Sequence, residues 1–226
     1  MTPQVSTFVG YSEDIKVPIL AKFATPPKPE ESKQTEIGFR LKDLNGVSAT
    51  LAWFDLIRKN AAVADTANPS FSIQTGLQQS RGVDLDLRWQ ASSSLSLIAA
   101  LTSQTAVIVQ DTTVARVNKQ LFNVPKQTAR LAGRYDVNGG DWAGLGFGLG
   151  VTHHSSLPGD TTNTFFTPSA TVADAQVSYK LRDMKLGLSI SNLFDKKYYV
   201  PSAYFGGGQV IPALPRTVSA TANFSF

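Results

Sequence analysis

Cysteine is absent from the 226 residues, which excludes disulfides, thiolate metal sites and a cysteine nucleophile. Histidine occurs only twice, as His153 and His154. Charge is sparse: Asp, Glu, Lys and Arg make up 17% of the chain, below the roughly 25% usual for soluble domains. The net charge of +4 is carried by dispersed basic residues, so no nucleic-acid partner is expected. Long apolar runs are missing too. Leu97 to Leu101 is among the longest, far short of the ~18 consecutive residues that a membrane helix needs. Residues 1–20 carry no basic stretch followed by an apolar one, so no secretory signal is legible there. A chain of this composition meets a membrane only as strands.

What is present is alternation with period two, in about ten segments. In the last, Val218, Ala220, Ala222, Phe224 and Phe226 alternate with Thr217, Ser219, Thr221, Asn223 and Ser225. In a strand the two sets point to opposite faces, one apolar and one polar. The same pattern occupies residues 83–89, 145–151, 173–181 and 186–191, with weaker versions at 5–12, 36–41, 47–55, 95–102 and 128–135. No long window shows the helical period of 3.6.

The connections alternate as well. Short ones lie at 44–46, 92–94, 138–141 and 182–184, where Asn45-Gly46 and Gly139-Gly140 supply tight-hairpin chemistry. Long ones occupy 15–33, 60–72, 110–123, 155–168 and 201–214 and read as irregular loops. Short turns on one side and long loops on the other predict an all-β, antiparallel, up-and-down transmembrane β-barrel segment of about ten strands. A ten-residue strand spans roughly 33 Å, and tilted near 45° it crosses about 23 Å of apolar band. Trp53, Phe54, Trp89, Tyr135, Trp142, Phe194, Tyr198 and Tyr199 fall near segment ends and suit two interfacial girdles. A soluble antiparallel sandwich also alternates. It requires neither short turns at every second connection nor a polar face as charged as Asp84, Asp86, Arg88, Arg130 and Arg134 make this one.

Motifs then point to a family. Asn192-Leu193-Phe194-Asp195-Lys196-Lys197-Tyr198-Tyr199-Val200, followed by the stretch from Leu214 to Phe226, closely resembles the end of TonB-dependent outer-membrane receptors. The final Phe226 looks like their outer-membrane insertion signal. Phe54-Asp55-Leu56-Ile57-Arg58-Lys59-Asn60 resembles a strand end of that family, Ser80-Arg81-Gly82-Val83-Asp84-Leu85-Asp86 a second segment, and Asn123-Val124-Pro125 a third. The ferric-siderophore branch is nearest. The resemblance implies a bacterial outer-membrane location and residues 1–226 as a single domain, the C-terminal portion of a 22-stranded barrel. The plug domain and the N-terminal strands of that barrel are expected to be absent. It implies TonB-driven uptake of a ferric siderophore or similar small chelate, the TonB complex acting through the missing plug, and outer-membrane lipid around the wall. A passive channel or small barrel formed by the ten strands alone, or an outer-membrane hydrolase, are the alternatives.

No cofactor, metal site or catalytic set is expected. Asp84 and Asp86 share a face roughly 7 Å apart and could do acid/base work, or could be lumen charges balanced by Arg88 and Arg81. His153 and His154, as neighbours on a strand, point to opposite faces and cannot share one ion. Either could join Asp160 in a hydrolase, with nothing else to support it. Gly144, Gly146, Gly148 and Gly150 superficially suggest a dinucleotide loop, but their strict period marks them as inward strand positions. Arg81, Arg88, Arg130 and Arg134 could make the lumen positive for anionic ferric complexes, or could bond to plug groups or lumen carboxylates. In the family, ligand contacts lie on the plug apex and the extracellular loops, so the loop aromatics Phe165, Phe166, Tyr204 and Phe205 are the expected ligand contacts.

Overall fold

Alternation along one strand separates two faces; pairing in register decides whether those faces continue from strand to strand. The computed structural model describes residues 4–17, 22–23, 26–64, 70–202 and 208–224. In chain order its strands are β1 (Val5–Lys16), β2 (Glu30–Leu44), β3 (Val47–Ala64), β4 (Ser72–Gln90), β5 (Leu95–Gln110), β6 (Gln127–Asp136) and β7 (Leu145–His154). There follow β8 (Leu157–Pro158), β9 (Phe166–Thr167), β10 (Ala170–Leu181), β11 (Met184–Ser191), β12 (Tyr199–Ser202), β13 (Gln209–Pro212) and β14 (Thr217–Phe224). Ten of them form one antiparallel sheet in the order β1-β2-β3-β4-β5-β6-β7-β10-β11-β14, and the pairs β8–β9 and β12–β13 form small hairpin sheets in two of the long connections. Among the described residues the one helical element is a 3₁₀ turn at Val114–Arg116, and β1 is not paired with β14.

The register carries the alternation intact across the sheet. One row runs Val5, Leu41, Ala49, Leu87, Ala99, Leu131, Val151, Ala173, each paired with the next. Another runs Val47, Trp89, Leu97, Gly133, Leu149, Ala175, Ile190, Val218. The interleaved row on the other face is Ser6, Arg40, Thr50, Asp86, Ala100, Arg130, Thr152, Val172. Among the described residues no second sheet covers the apolar face: Leu131 is 61% exposed and Val218 59%. A continuous apolar surface of this kind is stable only against lipid. The hollows of the sheet lie on the polar face, which makes it the lumen side.

Three expectations are corrected. Arg81 sits opposite Asp55 and Thr105 on the outward face, above the apolar band, and so cannot balance Asp84 and Asp86. Phe54 belongs to no girdle: it is 9% exposed on the lumen side, in a row with Glu36, Gly82 and Gln104. Tyr198 turns inward too, its ring 6.1 Å from that of His154. The strands also outrun the alternation. β3 and β4 reach 18 and 19 residues, because above the membrane both faces meet polar surroundings and the pattern fades while the backbone ladder continues.

Candidate functional site

The lumen wall is shaped by what β7 lacks. Gly148 and Gly150, with Ala132 beside them, floor a hollow of ≈ 330 Å³ flanked by Arg130 and Arg134 and by Asp174 and Gln176. Arg134 donates to both carboxylate oxygens of Asp136, Nε at 2.9 Å and Nη2 at 2.5 Å, and from Nη2 to Ser178 Oγ at 3.0 Å. That network lies directly over Gly146. Arg130 donates from Nη1 to Thr152 Oγ1 at 3.2 Å. It also borders a second hollow of ≈ 500 Å³ with Arg40, Lys42, Asp86 and Arg88. Asp84, Asp86 and Arg88 do share the lumen face, as the alternation required. Such a wall can hold a polar, charged guest by hydrogen bonds and long-range field.

The histidines separate as expected. His153 faces outward with Nδ1 2.8 Å from Thr171 Oγ1, while His154 faces inward and donates from Nδ1 to the Ser155 carbonyl at 2.8 Å. Asp160 joins neither. Its carboxylate accepts from the N–H and hydroxyl of Thr162, at 2.9 Å each, from the Thr164 N–H at 3.0 Å, and from the Thr164 hydroxyl. The Thr164 hydroxyl chiefly, with the other donors, lowers its pKa to about 2. The turn is therefore stabilised at every pH above the ordinary carboxylate range and loses that support as pH falls through about 2. Carbon-13 titration of the Asp160 carboxyl is expected to show a midpoint near that value; one at ~3.9, the unperturbed value, would mean the turn does not form in solution.

At the mouth, Phe166 in β9 is 45% exposed and available to a ligand. Phe165 is half-buried, its ring laid on the face of Gly159 where any side chain would collide. Tyr204 and Phe205 lie outside the described residues, as does Phe226.

The motif residues turn out to be fasteners. Asn192 is 5% exposed. Its Oδ1 accepts from the Lys196 N–H at 2.8 Å, and its Nδ2 donates to the Lys196 and Leu214 carbonyls at 3.0 and 3.2 Å. Asp195 Oδ1 accepts from the Arg216 N–H at 2.9 Å. The two close the base of the β11–β14 connection. Arg58 pairs with buried Glu30, Nε at 3.0 Å. Asn60, at φ 56°, accompanies the β-bulge between Arg58 and Ala61 and donates to the Pro29 carbonyl at 3.1 Å. These partners lie 4 to 31 residues away, and only the Asn192–Lys196 pair is local enough for a sequence signal to have exposed it.

Comparison with known proteins completes the site. A family model described as TonB dependent receptor-like, beta-barrel, matches residues 1–193. The chain is 34% identical over 229 aligned residues to the metal-pseudopaline receptor CntO of Pseudomonas aeruginosa, covering 99% of this chain and 32% of that protein. It is 31% identical to the ferrichrome outer membrane transporter/phage receptor of Escherichia coli, covering 98% and 30%. Among solved structures it superposes on the siderophore receptor PiuA of Acinetobacter baumannii with a TM-score of 0.83 at 22% identity, covering 99% of this chain and 34% of that one. On the ferric yersiniabactin uptake receptor FyuA of Yersinia pestis the TM-score is 0.84 at 18% identity, covering 100% and 36%. The chain thus spans about a third of the length of the curated relatives it matches.

Proposed function

The chain belongs to the TonB-dependent receptor β-barrel family, and from that membership we propose that it is part of the wall of an outer-membrane receptor that takes up ferric siderophores. One observation carries most weight. A continuous lipid-type face backs a lumen face bearing Arg40, Arg88, Arg130 and Arg134, and similar chains are receptors for siderophores and metal chelates by name. A sealed ten-strand core would not place arginines inward; a wide, filled or watered lumen does. In this proposal the ten strands are the C-terminal portion of a larger barrel, and TonB acts on a plug domain that these strands do not form. The loop aromatics proposed to contact the arriving chelate are Phe165, Phe166, Tyr204 and Phe205. The family consists of receptors and not enzymes, which removes the hydrolase alternative.

The test is a chimaera in which this chain replaces the matching third of the E. coli ferrichrome transporter. It is expected to insert and to import radiolabelled iron from at least one of a ferrichrome, ferrioxamine and catecholate panel, only in cells with TonB. Phe166→Ala should weaken that uptake by about tenfold in apparent affinity, the scale of one lost aromatic contact. Correct insertion with no TonB-dependent uptake of any of these chelates would sink the proposal.

A further inference from the structure

Charge is not spread evenly over the lumen face. Four inward cations, Arg40 and Lys42 of β2, Arg88 of β4 and Arg130 of β6, border one hollow of ≈ 500 Å³, where the single carboxylate beside them is Asp86. Among the described residues none of the four is in an ion pair. Arg40 is held over the Phe8 ring, 5.0 Å from its centroid, and Arg130 is steadied by Thr152 Oγ1. Both guanidiniums therefore stay at the lumen face with donors to spare.

The hollow lies toward the short turns, which in an up-and-down membrane barrel are the periplasmic end. The next two described rows of the lumen face toward the long loops bear Asp84 and Glu36 and no lysine or arginine. Further toward the turns, Lys180 and Lys185 stand directly opposite each other across β10 and β11, a like-charge pairing that is unfavourable until an anion lies between them. An anion moving down this wall thus leaves a carboxylate-bearing zone and enters a cationic one, and a cleft with low-dielectric walls concentrates that field.

We propose that the periplasmic half of this wall is a binding site for multiply charged anions, centred on the hollow between Arg40, Lys42, Arg88 and Arg130. The chelates it takes are the anionic class, the ferric tris-catecholates, in preference to the neutral tris-hydroxamates. Three singly charged hydroxamates only neutralise a ferric ion, whereas three doubly charged catecholates leave it strongly anionic, with oxygens that guanidinium forks can bond. That the guest is a ferric chelate rests on the transport proposal; the preference for charge does not.

Equilibrium dialysis of radiolabelled ferric tris-catecholate and of ferrichrome, a neutral tris-hydroxamate, against the chain refolded in detergent tests the site. The catecholate is expected to be retained about tenfold more tightly, the scale of a focused field, and the preference should vanish at ~1 M salt, where charges are screened beyond about 3 Å. Arg88→Gln with Arg130→Gln should abolish the preference, while Arg81→Gln, the same loss of charge on the outward face, should leave it intact. Heat-modifiable gel mobility checks that each variant folds, and Arg40→Gln with Lys42→Gln serves in the same way if the first pair does not. A chain that shows the preference while the chimaera imports no chelate supports the site and sinks only the transport proposal. Equal retention of the two chelates, as when the hollow serves only to seat a plug, overturns the site. So does a preference that survives both double substitutions, or one that Arg81→Gln removes as well.

Discussion

Leu131→Arg is expected to destabilise the folded chain in a bilayer by roughly 2–4 kcal/mol, the penalty for a cation near the middle of a barrel's lipid face. Ala132→Arg, one residue along, is expected to cost well under half of that. Leu131 stands in an unbroken apolar row between Ala99 and Val151. Ala132 borders the lumen hollow, its methyl group 3.6 Å from where a Cβ on Gly150 would stand, and water or polar partners are at hand. Equilibrium unfolding of both variants in phospholipid vesicles, followed by tryptophan fluorescence, measures the difference. Equal effects at the two positions would mean that the faces are not lipid and lumen.

Gly82→Val is expected to be worse still, with failure to refold or a loss of more than about 3 kcal/mol. A side chain at Gly82 would run into the backbone of the next strand, 2.8 Å from the Gln104 Cα and nearer still to the Ser103 carbonyl. Backbone cannot step aside without breaking the β4–β5 ladder, so no rotamer relieves the clash. Gly148→Ala provides the contrast, since its methyl would meet the Gln176 Cβ at an ordinary 3.5 Å. Heat-modifiable gel mobility and protease resistance after refolding distinguish the two; a Gly82→Val chain as compact as the parent would refute the account of that motif glycine.

Much of the architecture was legible because period-two patterning is local. Whichever way Val218 faces, Ala220 and Ala222 face with it, and the short turns bring the next strand back beside them. The same rule, applied strictly, would have separated Arg81 from Arg88: the two are an odd number of residues apart and cannot share a face. It would equally have refused both Trp53 and Phe54 a place in one girdle. The fasteners were not legible, for a different reason. Glu30 meets Arg58 and Pro29 meets Asn60 only because a bulge and a long connection bring them together. Tyr198 lies beside the ring of His154, on a strand distant in sequence. The loop hairpins β8–β9 and β12–β13 have only 2 and 4 residues per strand, too few for any periodicity to register.

The unequal strands have a consequence for the outline of the rim. β3 and β4, with 18 and 19 residues, are roughly 60 Å long, whereas the 8 residues of β11 and of β14 give roughly 26 Å. Tilted alike, the first pair ends about 20 Å further from the membrane midplane. The rim is therefore a parapet on one side and a threshold on the other. The parapet is paired strand, interrupted by the bulge between Arg58 and Ala61 and resumed from Ala62 to Ala64. Over the threshold it is the β11–β14 connection, and not the sheet, that rises above β11 and β14. The described sheet thus ends at two heights, high at β3 and β4 and low at β11 and β14.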